Sequence, residues 1–254
     1  GKESWVYKLK KAMYGLKNAP KAYSDHFMNV LSELKFVQSK KDECLWSLRM
    51  GDNYIHYLFH VDDILVVSNN KALREHYFLA LKRLLRIRDE GPVSKFLGMQ
   101  VKRLSDGSFS LNQKLYIDKM AEKFNIDENK KQVSAPFVSG EKLVKPTQQE
   151  VEEAKDLPFQ SLVGGLIYAT KTRFEVSYSV SDAARFMSAW SKPHYKAALR
   201  ILTYLYQTRE RELVIRANDN DHVSVFCDAN YGDERGGDNG SDNDIDNGSD
   251  NGND

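Results

Sequence analysis

The chain has 254 residues, of which 41% are hydrophobic, enough for one large domain or two smaller ones with a real core. No apolar run approaches the length of a membrane span, and the N-terminus has no secretory h-region. Its two cysteines, Cys44 and Cys227, show no paired spacing, which favours a reducing, intracellular location over a disulfide scaffold. The net charge of +1 hides an asymmetry: residues 232–254 carry −7 and the first 231 residues +8, and a basic body suits a polyanionic partner.

The first predicted elements are a basic segment, from Lys8 to Pro20, and an amphipathic helix behind it. The segment is punctuated by Gly15 and Pro20. Apolar side chains then recur at helical spacing. They are Tyr23, Phe27, Val30, Leu31 and Leu34.

The next feature is a pair of adjacent carboxylates, Asp62 and Asp63, between two apolar runs. The runs, 54–59 and 64–68, are rich in β-branched and aromatic residues and predict an antiparallel hairpin with the carboxylates at or beside its turn. Two like charges next to buried strands are costly to desolvate, and a bound Mg²⁺ or Mn²⁺ relieves that cost. Carboxylate-held metal pairs catalyse phosphoryl transfer. The alternative is an ordinary Asp-Asp turn.

Further helices and a second hairpin follow along the chain. Asn69–Asn70 is placed to cap a helix that carries Leu73, Tyr77, Leu81 and Leu84. The turn sequence 105–108 (Ser-Asp-Gly-Ser) predicts a hairpin between Phe96–Val101 and Phe109–Leu111. An amphipathic helix is expected from Leu115 to Phe124.

The last third of the chain changes character twice. Residues 126–157 are polar and predict a linker, whereas 159–208 are mostly helical, with breaks near 171–174 and 191–193. Two strands of a new unit, Leu213–Ile215 and Val223–Cys227, come next. The Asp/Asn/Gly/Ser segment from Gly232 cannot form a core and is expected to be disordered.

Five sequence blocks resemble copia-type LTR retrotransposon reverse transcriptases, in family order from about residue 6 to 231. Residues 14–23 resemble the family's LYGLKQAPRAW block, and His60–Leu65 resembles YVDDIL. The remaining blocks are Lys95–Met99 (YFLGIEV), residues 161–168 with 185–188 (LIGSLMYL…SRFM), and Phe226–Ala229 (YSDAD). Each block is weak alone, but five in order are specific for this family's Pol polyprotein.

The resemblance implies an α+β fold, a partial right-hand polymerase. It implies palm and thumb at 1–125, a polar linker at 126–157 and a mostly helical connection at 158–212. A truncated RNase H-like start at 213–231 and an acidic tail at 232–254 complete the expected organisation.

The implied chemistry is two-metal addition of a nucleotide to a primer 3′-hydroxyl, with Mg²⁺ or Mn²⁺ as cofactor. Asp62 and Asp63 would be the catalytic metal ligands. The nucleotide or template would be met by Tyr14, Gly15, Lys17 and Lys21. The primer grip would hold Phe96, Leu97 and Gly98, and Asp228 would be an RNase H remnant.

The chain also departs from the family pattern. The family's other metal-binding Asp lies upstream of the Tyr14 block, where Glu3 is the one acid present, and His60 stands where Tyr is usual. The expectation is therefore a polymerase fragment that is inactive as an isolated chain. The alternatives are a non-catalytic nucleic-acid-binding remnant and an interaction protein whose acidic tail recruits basic partners or shields the body.

The resemblance further implies partners and a location. The expected partners are an RNA/DNA primer–template, deoxynucleoside triphosphates (dNTPs) and the rest of the Pol polyprotein, with no membrane. The expected location is a cytoplasmic virus-like particle, with a possible nuclear phase.

Overall fold

The computed structural model describes residues 9–216, except residues 11, 14 and 139. The predicted strand Val223–Cys227 and the acidic tail lie outside the described residues. The first part of the chain forms a helix, four strands and a second helix. These are α1 (Ala19–Glu33), β1 (Val37–Gln38), β2 (Leu45–Met50), β3 (Asn53–His60), β4 (Asp63–Ser68) and α2 (Lys71–Leu84).

Between residues 95 and 216, the described part of the chain forms another sheet and five α-helices. The strands are β5 (Lys95–Phe96), β6 (Met99–Arg103), β7 (Phe109–Asn112) and β8 (Leu213–Ile215). The helices are α3 (Lys114–Lys123), α4 (Gln148–Ala154), α5 (Phe159–Ala169), α6 (Ser177–Ala184) and α7 (Lys192–Gln207), with a short 3₁₀ turn at Phe174–Val176.

The first sheet is an antiparallel meander in the order β1-β2-β3-β4, and helices cover one of its faces. Alternate residues of β3 are buried, namely Ile55, Tyr57 and Phe59, as a strand with one covered face requires. Phe27 of α1 meets the Phe59 ring edge-on at 5.0 Å, and α2 also packs on β3 and β4. The predicted amphipathic helix and the 54–68 hairpin are confirmed, as is the Asn70 cap, whose side chain accepts from the Leu73 N–H at 3.0 Å.

A separate hydrophobic core joins α3, α5, α6 and α7. Leu162 and Leu166 of α5 and Leu202 of α7 are fully buried in it. Segment 126–157, predicted as a linker, contains α4, and the indole N–H of Trp190 donates to the carbonyl of Ala154 at 3.0 Å. The predicted helices over 115–124 and 159–208 are confirmed.

The second sheet differs from the sequence prediction at two places. Phe96–Val101 is not one strand, because a two-residue turn at Leu97–Gly98 separates β5 from β6. Strand β8, predicted from the sequence as the first strand of a new unit, pairs with β7 of the second sheet, and the Ser110 hydroxyl donates to the Glu212 carboxylate at 2.5 Å. Local sequence pattern could not predict this pairing, because Ser110 and Glu212 are 102 residues apart in the chain.

Candidate active site at the carboxylate hairpin

The carboxylate pair lies at the tight end of the β3–β4 hairpin. His60 and Asp63 form the last cross-strand pair, and Val61 and Asp62 make the two-residue turn between them. Val61 has φ = 53°, a left-handed conformation that β-branched residues rarely adopt. Backbone strain of this kind persists where surrounding structure enforces it and concentrates at functional sites.

The two carboxylates face solvent. Asp62 and Asp63 are both exposed, although the strands beneath them contribute the buried Phe59. Paired residues in an antiparallel ladder project from the same face, so Asp63 shares a face with His60, opposite the face that carries Phe59. The hairpin therefore presents two acids at the rim of a sheet whose other side is anchored in the core.

Helix α1 brings a phenol close to the first carboxylate. The Tyr23 ring stacks on Phe27 with centroids 6.4 Å apart, one helical turn before the residue that anchors α1 on β3. Partial burial, and then the nearby Asp62 carboxylate, raise the pKa of the Tyr23 hydroxyl. Sequence reasoning placed Tyr23 on the buried helix face but missed its proximity to Asp62; its spacing from Phe27 was the available signal.

The donor set suits a hard divalent cation. Carboxylate oxygens are the ligands that Mg²⁺ and Mn²⁺ prefer, and Mg²⁺ is commonly bound by one or two carboxylates together with substrate phosphates. Within residues 9–216, no three His, Cys, Asp or Glu side chains come together as a ready-made metal cluster. The hairpin thus offers two carboxylates, and a divalent cation bound there would need further oxygen ligands from elsewhere.

The open face of the first sheet carries a polar pair beside the hairpin. The Ser47 hydroxyl and the His56 Nδ1 lie 2.7 Å apart across β2 and β3. Partial burial, and then the charge of Arg49, lower the pKa of His56. His56 lies on the same face of the sheet as His60, because the two are four residues apart on β3, and as Asp63, which pairs with His60 across the hairpin.

The residues predicted to contact nucleotide or template lie at the start of α1. Gly15 has φ = 91° in the turn before the helix, and a Cβ added there would meet no atom within 4 Å. Lys17 and Lys21 are exposed. Tyr14 lies outside the described residues, so the structure places three of the four predicted residues next to the helix that also carries Tyr23.

The predicted primer-grip residues form the β5–β6 turn of the second sheet. Leu97 and Gly98 have φ of 48° and 79°, the sign pattern of the tight type I′ hairpin turn. The Tyr168 hydroxyl of α5 donates to the Leu97 carbonyl. Asp228, the predicted RNase H remnant, lies outside the described residues.

Comparisons of the sequence with known proteins find a family and several relatives. A family profile described as reverse transcriptase (RNA-dependent DNA polymerase) matches residues 1–139, a stretch that includes the hairpin. The chain is 31% identical over 229 residues to a transposon Ty5-1 protein of Saccharomyces cerevisiae, an alignment that covers 90% of this chain and 73% of that protein.

Two plant relatives are much longer. The chain is 30% identical over 240 residues to the retrovirus-related Pol polyprotein from transposon RE1 of Arabidopsis thaliana, covering 91% of this chain and 16% of that protein. The chain is 33% identical over 215 residues to the corresponding polyprotein from transposon TNT 1-94 of Nicotiana tabacum, covering 82% of this chain and 16% of that protein. The chain thus spans a small part of these polyproteins. No solved structure matches it significantly.

Proposed function

Because this chain belongs to the reverse transcriptase (RNA-dependent DNA polymerase) family, we propose that it is the part of a retrotransposon polymerase that carries two of the metal-binding carboxylates. The observation that supports this most is the β3–β4 hairpin, with Asp62 and Asp63 exposed at a strained turn. An ordinary surface turn does not require a β-branched residue with positive φ.

In the proposed reaction, this chain holds the Asp62 and Asp63 carboxylates in position for the metal ions. The buried Phe27–Phe59 contact fixes the hairpin against α1, so both carboxylates are held at one rim of the sheet. Divalent ions bound there would lower the pKa of the primer 3′-hydroxyl and neutralise the leaving pyrophosphate. Asp62 is assigned as the more direct ligand, and Asp63 lies nearer the primer terminus. Exposed Lys17 and Lys21 are assigned to phosphate contacts.

The remaining regions are assigned by the same family resemblance. Residues 1–125 are proposed as palm and thumb, 158–212 as connection, and 213–231 as the start of an RNase H-like domain. The proposed partners are an RNA/DNA primer–template, dNTPs and the remainder of a Pol polyprotein, within a virus-like particle. No helix in the described part of the chain has the length and apolar character needed to span a bilayer.

Mn²⁺ binding tests the carboxylate assignment. We expect Asp62→Asn and Asp63→Asn each to weaken Mn²⁺ binding, followed by electron paramagnetic resonance in the presence of primer–template and dNTP, by about tenfold or more, or 1.4 kcal/mol. Asp52→Asn is the matched control, since Asp52 is an exposed aspartate in the turn at the other end of β3. Equal Mn²⁺ affinity in all variants would contradict the assignment.

We further propose that these 254 residues, assayed alone, do not extend a primer, because the family resemblance implies a three-carboxylate centre and the hairpin supplies two. The measurement is dNTP incorporation on poly(rA)/oligo(dT) with Mg²⁺ and with Mn²⁺. Incorporation that disappears in Asp62→Asn would disprove the inactivity and show that another carboxylate completes the centre.

A further inference from the structure

The Leu97–Gly98 turn adopts a conformation that its sequence does not favour. Both residues have positive φ, and a leucine in the left-handed region costs roughly 1–2 kcal/mol, whereas Asn, Asp or Gly is usual at that turn position. The turn joins two short strands, β5 and β6, which pair at Lys95–Gln100 and Phe96–Met99, with one further backbone bond from the Val101 N–H to the Ser94 carbonyl at 2.9 Å. A ladder this short supplies little to offset the strain, so other contacts must hold the turn.

One such contact comes from α5. The Tyr168 hydroxyl donates to the Leu97 carbonyl, and a Cβ built on Gly98 would lie 2.8 Å from the same hydroxyl oxygen. Two features of the sequence thus meet at one point. Gly98 provides the space for the phenol, and Leu97 provides the acceptor.

Tyr168 is held by one contact to its ring and one to its backbone carbonyl. The Tyr116 ring of α3 meets it edge-on with centroids 4.7 Å apart. The Gln113 amide donates to the Tyr168 carbonyl at 3.1 Å, and the Thr172 hydroxyl holds that amide through its oxygen at 2.7 Å. The Tyr168 side chain packs on Tyr116 in the helical part of the chain, and its hydroxyl bonds to a turn 71 residues earlier in the sequence.

We propose that Tyr168 is a positioning residue that holds the Leu97–Gly98 turn in the conformation that contacts a primer strand. This inference rests on the proposed function, which assigns residues 96–98 to the primer grip. Tyr168 does not touch the primer itself. It fixes the Leu97–Gly98 turn, which contacts the primer, and it makes the conformation of that turn depend on the packing of α3 against α5.

Photo-crosslinking tests the proposal on the full chain. A primer–template duplex carries 4-thiothymidine at the primer 3′ end, and crosslinked peptides that contain residues 96–98 are quantified by mass spectrometry. Tyr168→Phe removes one hydroxyl and should lower the crosslink yield at this turn about fivefold or more, while duplex affinity measured by anisotropy changes less than twofold. A purely structural role would leave the crosslink position and yield unchanged below the melting temperature.

Tyr116→Phe is the matched control, because the Tyr116 hydroxyl also donates to a carbonyl, that of Gly165 at 3.0 Å, without touching the turn. The control should crosslink like the wild type. A Tyr168→Phe yield equal to that of the wild type, or an equal loss in both variants, would overturn the positioning role alone. A wild-type chain that binds the duplex but gives no crosslink at 96–98 would overturn the primer contact and the inference with it.

Discussion

Four described residues other than glycine have a positive φ, and they fall into two groups: two follow helices and two lie in hairpin turns. Lys35 and Asn125 follow α1 and α3, and a residue in the left-handed conformation commonly ends a helix. The 6→1 bonds that accompany such endings are present, from Phe36 to Leu31 and from Ile126 to Ala121. Val61 and Leu97 have no such explanation, and both occupy hairpin turns that we assign to function.

His194 gives a prediction that depends on pH. Its ring is buried at the start of α7, where Nδ1 accepts from the Ser191 N–H at 3.1 Å and lies 2.7 Å from the Ser191 hydroxyl. Burial lowers the pKa of His194, outweighing the opposing effects of the Val144 backbone, Asp182 and Glu150. The unfolded chain, with a histidine pKa of about 6.5, therefore takes up the proton first as pH falls.

The free energy of unfolding should therefore fall between pH 7 and 5, by up to about 1.4 kcal/mol per pH unit from this group. His194→Asn keeps an acceptor near the Nδ1 position but cannot titrate, so its stability curve should be flatter in that range. Urea unfolding at several pH values measures this, with His26→Asn on the exposed side of α1 as control. A slope in His194→Asn as steep as in the wild type would refute the role of His194.

At the scale of elements, two adjacent glycines of α5 meet different surroundings. A Cβ on Gly164 would find no atom within 4 Å, whereas one on Gly165 would lie 2.5 Å from Cε and 2.8 Å from Sδ of Met120. Met120 is almost fully buried in the helical core, so its side chain has little room to move away. Gly165 therefore sets how closely α3 and α5 approach.

Alanine at each position should give opposite results. Gly164→Ala should raise the free energy of unfolding by about 0.5–1 kcal/mol through helix propensity alone. Gly165→Ala should lower it by about 1–3 kcal/mol through overpacking. Urea denaturation of both variants provides the measurement, and each serves as the control for the other. Equal stabilisation by both would show that Met120 can move aside and that the α3–α5 approach is not tight.

Elements fixed by local pattern could be predicted from the sequence. Three features depend on residues that are close together in the sequence. They are the apolar face of α1, the alternating strands around Asp62–Asp63 and the Asn70 cap. The Leu97–Gly98 turn could not be predicted, because leucine is disfavoured there and the stabilising contact comes from Tyr168. The pairing of β8 with β7 joins segments about 100 residues apart, which periodicity does not reveal.

The candidate site follows the same division. The carboxylate hairpin was predicted because two β-type runs flank the acids directly. The nearness of Tyr23 to Asp62 was not, since it depends on how α1 lies across β3 through Phe27 and Phe59. Pattern gives the residues of each element, whereas side-chain packing determines which of them meet.

At the scale of the whole molecule, charge is divided along the chain. Residues 1–231 carry +8 and residues 232–254 carry −7. If the basic body binds a duplex through its phosphates, the logarithm of affinity should fall linearly with the logarithm of salt concentration, with a slope of about −0.9 per phosphate neutralised. If the acidic segment competes for the same surface, its covalent attachment would give it a high effective concentration there.

We therefore expect residues 1–231 to bind a labelled primer–template more tightly than the full chain at low salt, and the difference to shrink as salt screens both interactions. Fluorescence anisotropy across a salt series measures this for both chains. A full-length variant with the seven tail aspartates changed to asparagine controls for length, and it should bind like residues 1–231. Equal affinities of the full chain and residues 1–231 at low salt would refute shielding by the tail. A flat salt response would refute phosphate binding by the body itself, because counterion release accompanies any such contact.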